Sequence, residues 1–344
     1  MKKKERFCIG VPEIDREIER LSEKYSHGRT NEYFRQLFTT IVKLYLDKAD
    51  EEDLHLLNIS IKELRHAFRV FKSYRDVRKV SIFGSHRSPR DSVEYRMAEE
   101  FCGKIAEKGF MVITGGGGGI MEAGNKAARE KSFAAKIRIS IESPNPFIPK
   151  GDRMIMFNYF FNRKLVFIKE SDATVLFPGG FGTMDEGFEA LTLLQTGKCP
   201  PRPIVMVEDV KTGYWKGWEH FVRGKMVKKG LLRDIDLDLY RIVKSVPQAI
   251  KEVVDFFKIY NSTRFIKDLT VIRMEKQLSS AAYKELNREF KDILVKGKIE
   301  PCLPQSAEKK DRDRLFLPRM KMYFDQRSFT RLLQLVRRIN TYAD

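Results

Sequence analysis

Apolar positions in the first quarter of the chain recur every three or four residues. Ile14, Ile18 and Leu21 follow an opening Pro12-Glu13-Ile14-Asp15, and the same spacing returns over Tyr33 to Leu46 and Leu54 to Phe71. The pattern predicts a helical segment over residues 1–76. It carries no evident chemistry: His55 and His66 have no carboxylate or cysteine at metal-ligand spacing, and both are assigned to surface or packing.

From Val77 the texture changes. Short β-branched runs, Lys79–Phe83, Phe110–Thr114, Ala134–Ile141, Ala173–Phe177, Ile204–Val207 and Tyr240–Val243, alternate with helical patterns. Such alternation predicts a doubly wound, Rossmann-like α/β domain over residues 77–261. Asp91 is expected to cap a helix running to about Lys108. Asn158 to Lys169 is expected to bury Phe161, Leu165 and Ile168. Between Glu142 and Phe157 the prolines 144, 146 and 149 argue against a helix and for an irregular flap over a site. Trp215 and Trp218 read as packing or subunit-contact residues rather than base-stacking platforms. Residues 262–344 predict a small α+β module: strand Leu269–Met274, helix Ala281–Ile293, a polar loop Pro301–Arg312, strand Leu315–Phe324 and helix Ser328–Ile339.

Three of the strands run into glycine. Lys79–Phe83 ends in Gly84-Ser85, Phe110–Thr114 ends in the five glycines 115 to 119, and Ala173–Phe177 ends in Pro178-Gly179-Gly180-Phe181-Gly182-Thr183 before a helix. The first N–H groups of a helix lack internal partners and carry the positive end of its dipole, so glycine turns there suit a phosphate. Thr183 adds a hydroxyl donor, and Glu186 sets a carboxylate one turn into the helix. Glycines 115 to 119 also fit a dinucleotide fingerprint loosely, with Glu142 roughly twenty residues on as its ribose ligand. Arg87 and Arg90 follow the first turn closely enough to meet phosphate, and fit a solvated surface equally well.

Composition narrows the setting. The 344 residues carry 65 Lys and Arg against 47 Asp and Glu, a formal charge of +18, at a mean hydropathy of -0.40. The surplus favours anionic partners. No apolar stretch of about 18 residues is present to span a bilayer, and no secretory leader follows Met1. Cys8, Cys102, Cys199 and Cys302 stand far apart with no CxxC spacing, which suggests neither a disulfide scaffold nor a zinc site and points to a reducing cytoplasm.

The stretch PGGFGTMDE resembles the PGGxGTxxE signature of the LOG family, phosphoribohydrolases that release a free base from nucleoside 5′-monophosphates and are often labelled lysine decarboxylases. FGS at residues 83–85 and the run from Gly115 to Met121 are similar to two further elements of that family. The family also has an Arg-Lys pair on a helix before the signature, and here Arg163-Lys164 precedes Glu186, with Arg163 twenty-three residues upstream. The likeness covers roughly Arg78 to Tyr260.

The resemblance implies a nucleoside 5′-monophosphate nucleosidase, without metal or organic cofactor, with Arg163 and Glu186 catalytic. It implies phosphate and ribose contacts from Gly84, Ser85, Gly116, Gly117, Gly118, Met121, Lys164, Gly179, Gly180, Gly182 and Thr183. Asp185 and Glu122 are candidate proton donors to the leaving base. It further implies a homo-oligomer, with an anionic nucleotide effector as an option for the flanking segments. A non-catalytic nucleotide-binding regulator is the alternative. A pyridoxal enzyme has no marked Schiff-base lysine to support it. RNA binding through Arg331, Arg337 and Arg338 lacks a recognisable module, and a solvated helix face is the plainer expectation for those three. The preferred base is left open.

Overall fold

The computed structural model describes residues 7–139, 143–308 and 314–343, and the chain forms two compact units, 1–65 and 66–344. The first unit holds α1 (Pro12–Tyr25), α2 (Arg29–Leu46) and most of α3 (Glu51–Lys72). Proline at the start of α1 and acidic first turns in α1 and α3 suit helix N-termini.

The second unit is built on β1 (Lys79–Phe83), α4 (Val93–Glu107), β2 (Met111–Thr114), α5 (Ile120–Ala128), β3 (Ser132–Ile137), β4 (Met154–Phe157), α6 (Phe160–Glu170), β5 (Ala173–Leu176), α7 (Phe181–Gln195), β6 (Ile204–Val207), α8 (Tyr214–Phe221), β7 (Arg241–Val243) and α9 (Val246–Asp255). The seven strands are all parallel, in the order β4-β3-β2-β1-β5-β6-β7. β2, β3, β5 and β6 are buried along their whole length, as central strands of a sheet covered on both faces must be. The strand order reverses between β1 and β5. A crevice therefore opens at their carboxyl ends, where open α/β sheets bind ligands.

Two loops meet in that crevice. Ser85 N–H donates to the Pro178 carbonyl at 3.0 Å, Phe177 N–H to Phe83 at 2.8 Å, and Ile120 N–H to Ser85 at 3.1 Å. The glycine run completes the stitch. Gly119 has φ +58°, and a Cβ there would overlap the Ser85 carbonyl. Gly116, at φ +73°, lies against Ala134. Neither position admits a side chain.

The remaining elements, β8 (Tyr260–Ile266), β9 (Leu269–Met274), α10 (Ser280–Glu289), β10 (Leu294–Pro301), β11 (Arg319–Phe324) and α11 (Phe329–Asn340), form an antiparallel sheet ordered β10-β11-β9-β8 with its helices. Its core is continuous with that of the parallel sheet: Leu176, Leu194 and Met206 belong to the same buried cluster as Ile272, Leu332 and Val336. Asn340 fixes the junction, accepting from the N–H groups of Ile259 and Tyr260 and donating to the Phe256 carbonyl.

Several local expectations are corrected. Ser92, not Asp91, caps α4, its side chain accepting from Tyr95 N–H. Met154–Phe157 is a strand, because its alternate side chains are buried where it pairs with β3. The described part of the proline stretch is no flap: Asn145 is buried and bonds the carbonyls of Gly116 and Gly117, behind the glycine turn. Residues 140–142, including Glu142, and 309–313 lie outside the described residues. On α6 the buried positions are Asn162, Val166, Phe167 and Glu170, while Phe161 and Leu165 are exposed. That helix is apolar on more than one face, so spacing alone chose the wrong stripe.

Candidate active site

The crevice holds a cavity of about 550 Å³, within the usual range for a small-molecule site. Gly84 and Ser85 line it from the turn after β1, Gly115 from the turn after β2, Met121 from α5, Gly180 from the turn before α7, Gly182, Thr183 and Glu186 from α7, and Arg163 from α6. A Cβ on Gly180 or Gly182 would meet nothing within 4 Å, so both face open space at the head of α7. Gly179 is different. A Cβ there would overlap the Thr183 hydroxyl and stand 2.9 Å from Ser85 N, and its carbonyl accepts from the Tyr214 hydroxyl. Gly116, Gly117 and Gly118 are not among the lining residues; they shape the turn behind it.

Glu186 is the buried charge of this site, 4% exposed. Arg163 Nη2 donates to its Oε1 at 3.3 Å. The Arg163 guanidinium is held between rings, 4.7 Å from the centre of Phe160 and 5.8 Å from that of Phe167, a geometry that suits a planar cation. Burial pushes the Glu186 carboxyl up to about 7, against the opposing pull of Lys164 and Arg163. A carboxyl so placed can hold or release a proton near neutral pH.

Lys164 does not line the cavity. Its Nζ sits 2.8 Å from Asp185, 3.2 Å from Glu189 and 4.0 Å from Glu186, and although burial works against its charge these carboxylates hold its pKa up. Asp185 is exposed on that ammonium. Glu122 accepts from Arg90 and the Tyr95 hydroxyl, outside the cavity, so Arg90 is turned away as well. Arg87 does line the cavity. Asp172 lies at the opposite end of β5, bonded to Lys79 N–H and Arg78.

Sequence reasoning passed over His86, Phe160 and Phe181, the last 96% exposed at the first position of α7, and the apolar wall of Ile137, Ile139 and Phe167. Phe181 could have been noticed as a large apolar residue set inside a glycine turn. Among the described residues no group of three or more His, Cys, Asp and Glu could hold a metal ion. No helix among them is long and apolar enough to cross a membrane.

A family model described as "Possible lysine decarboxylase" matches residues 107–253. An uncharacterized protein of Archaeoglobus fulgidus is 32% identical over 125 residues, which is 35% of this chain and 79% of that protein. A cytokinin riboside 5′-monophosphate phosphoribohydrolase of Mycobacterium tuberculosis is 28% identical over 170 residues, 48% of this chain and 87% of the relative. Among solved structures, the molybdenum cofactor binding protein of the phototrophic bacterium Rippkaea orientalis aligns with a TM-score of 0.36 at 16% identity, over 51% of this chain and 94% of that one. With the family model lying across β2 to α9 and the signature PGGFGTMDE heading α7, this chain belongs to the LOG family.

Proposed function

We propose that this protein is a nucleoside 5′-monophosphate N-glycosidase, hydrolysing the bond between base and ribose to give free base and ribose 5-phosphate. The observation that carries the reading is the Arg163–Glu186 pair, a buried carboxyl pushed up to about 7 beside the glycine-framed head of α7. The name of the Mycobacterium relative supports the reaction class.

Cleaving an N-glycosidic bond leaves positive charge on the ribose ring and anomeric carbon, as in other glycoside hydrolysis. In this reading the 5′-phosphate lies on the first turn of α7, over Gly180, Gly182 and the Thr183 hydroxyl, with Gly84 and Ser85 alongside. Binding energy from the phosphate then positions the sugar against Glu186. The C1′–N bond breaks and its electron pair leaves with the base. Water attacks C1′ and passes a proton to the Glu186 carboxylate, which has stabilised the cationic ring. The base takes its proton from solvent or from the protonated Glu186. Arg163 holds the carboxylate in position and keeps a fraction of it ionised.

The test is chromatography of free base after incubation with AMP, GMP, CMP, UMP and IMP separately. Glu186→Gln is expected to lower turnover by roughly 10² to 10⁴, the usual worth of a positioned acid or base, while nucleotide binding survives. Full activity in that variant would remove Glu186 from the mechanism. Nucleotides that bind but stay intact with the native protein would leave a regulator that senses nucleotides.

A further inference from the structure

A second and larger cavity, of about 830 Å³, lies at the other end of the parallel sheet. Its walls are the segments that precede β1, β5 and β6, the outer turns of α6 and α7, and β8 and β9 of the antiparallel sheet. Eight Arg or Lys side chains line it against four Asp or Glu. Three of those acids are already engaged. Asp172 accepts from Lys79 N–H and Arg78, Glu189 from Lys164, and Glu275 from the Asn261 amide.

Among the cations, Arg78, Lys169 and Arg273 are paired with Asp172, Glu170 and Glu308. Arg75, Lys198 and Arg202 meet no carboxylate at ion-pair distance among the described residues. Arg202 is the informative one, because it is only 3% exposed. Its Nη1 donates to the Ile168 carbonyl and its Nη2 to the Ser171 hydroxyl, both neutral acceptors, and its Nε has no partner. A buried cation held only by neutral groups is costly, and a counter-anion in the cavity would offset that cost. Arg78 is preformed in the same wall, stacked 3.9 Å over the Phe257 ring with long 3.4 Å bonds to Asp172 and Asn261.

We infer that this cavity is a binding site for a compact polyanion carrying at least two phosphoryl groups, distinct from the catalytic crevice. The volume admits a nucleotide-sized molecule. Guanidinium forks suit phosphoryl oxygens, and the Phe257 and Tyr260 rings beside them offer apolar wall. The burial of Arg202 favours a compact ion that can reach into the cavity over a polymer lying across its mouth. The inference does not rest on the nucleosidase reading, because it concerns binding at the far end of the sheet.

Calorimetric titration of the full chain with inorganic tripolyphosphate and with ATP tests it, at low and moderate salt. Both Arg75 and Lys198 are exposed, so the double variant Arg75→Glu, Lys198→Glu should fold, which circular dichroism checks. Expected is saturable binding that weakens with salt and falls at least tenfold in the double variant, while Arg87→Glu at the catalytic crevice leaves it unchanged. Equal affinity for the two ligands shows that the phosphoryl chain is recognised; tighter ATP shows that the ring is recognised too. No binding of either ligand overturns the inference. So does a loss that follows Arg87→Glu instead, or binding confined to an RNA oligonucleotide.

Discussion

Glu186 makes pH a direct probe of the crevice. Its carboxyl is held near 7 by burial, and Lys164 and Arg163 pull it the other way. If the ionised form stabilises the cationic sugar, kcat/KM rises with pH through a limb near 7. Removing the ammonium in Lys164→Met deletes the larger downward pull, so the limb should move to higher pH; a pH–rate series on both proteins checks this. The sign for stability is the reverse. A carboxyl raised on folding adds stability below its unfolded value near 4.5, and this contribution is lost as pH rises towards 7. At this scale the sequence was partly legible. The family resemblance, not the residues alone, singled out Arg163 with Glu186, and nothing in the sequence distinguishes Lys164, which sits on three carboxylates, from a phosphate ligand.

The turn that heads α7 contains glycines of two kinds. Gly179 is packed against Thr183 and Ser85, whereas Gly180 and Gly182 face open space. Gly179→Ala should therefore lower the melting temperature and disturb the Ser85–Pro178 link. Gly182→Ala should leave stability unchanged or slightly improved, since alanine favours a helix over glycine, while raising KM if phosphate sits on that turn. Thermal melts beside steady-state kinetics separate the two effects. Glycine spacing revealed the turn but not this division, which depends on what approaches each Cα in space. Other elements hid for equally local reasons. β4 lies just after a proline-rich run, and much of β10, with Lys296 and Lys298 exposed, lacks a clean alternation. The α6 stripe was misassigned because Phe161 and Leu165 repeat with the same four-residue spacing as the buried Asn162, Val166 and Glu170, two of which are polar.

Across residues 66–344 one buried cluster joins β5, β6 and α7 to the antiparallel sheet and α11. Leu332, fully buried on α11, should therefore destabilise the parallel-sheet side as well. Leu332→Ala is expected to cost about 2–5 kcal/mol and to shift a single cooperative denaturant transition, read both by the fluorescence of Trp215 and Trp218 and by far-ultraviolet dichroism. Two separate transitions would show that the layers unfold independently. The order of elements made the α/β class legible from the sequence. The disposition of charge was not. Arg331 and Arg338 lie on Asp292 and Glu285, and the half-buried Arg337 faces Glu252, so this partly solvated face is laced with ion pairs to the same chain.

The stitch between Gly84-Ser85, Gly119-Ile120 and Phe177-Pro178 has a kinetic consequence. These loops are locked to one another by backbone bonds before any ligand arrives, so their ordering entropy is charged to folding and not to recognition. Capture at this rim is then governed by diffusion and desolvation, without waiting for a slow closure of the backbone. A molecule that fits poorly meets a wall that does not remodel around it, and selectivity is enforced at the moment of encounter.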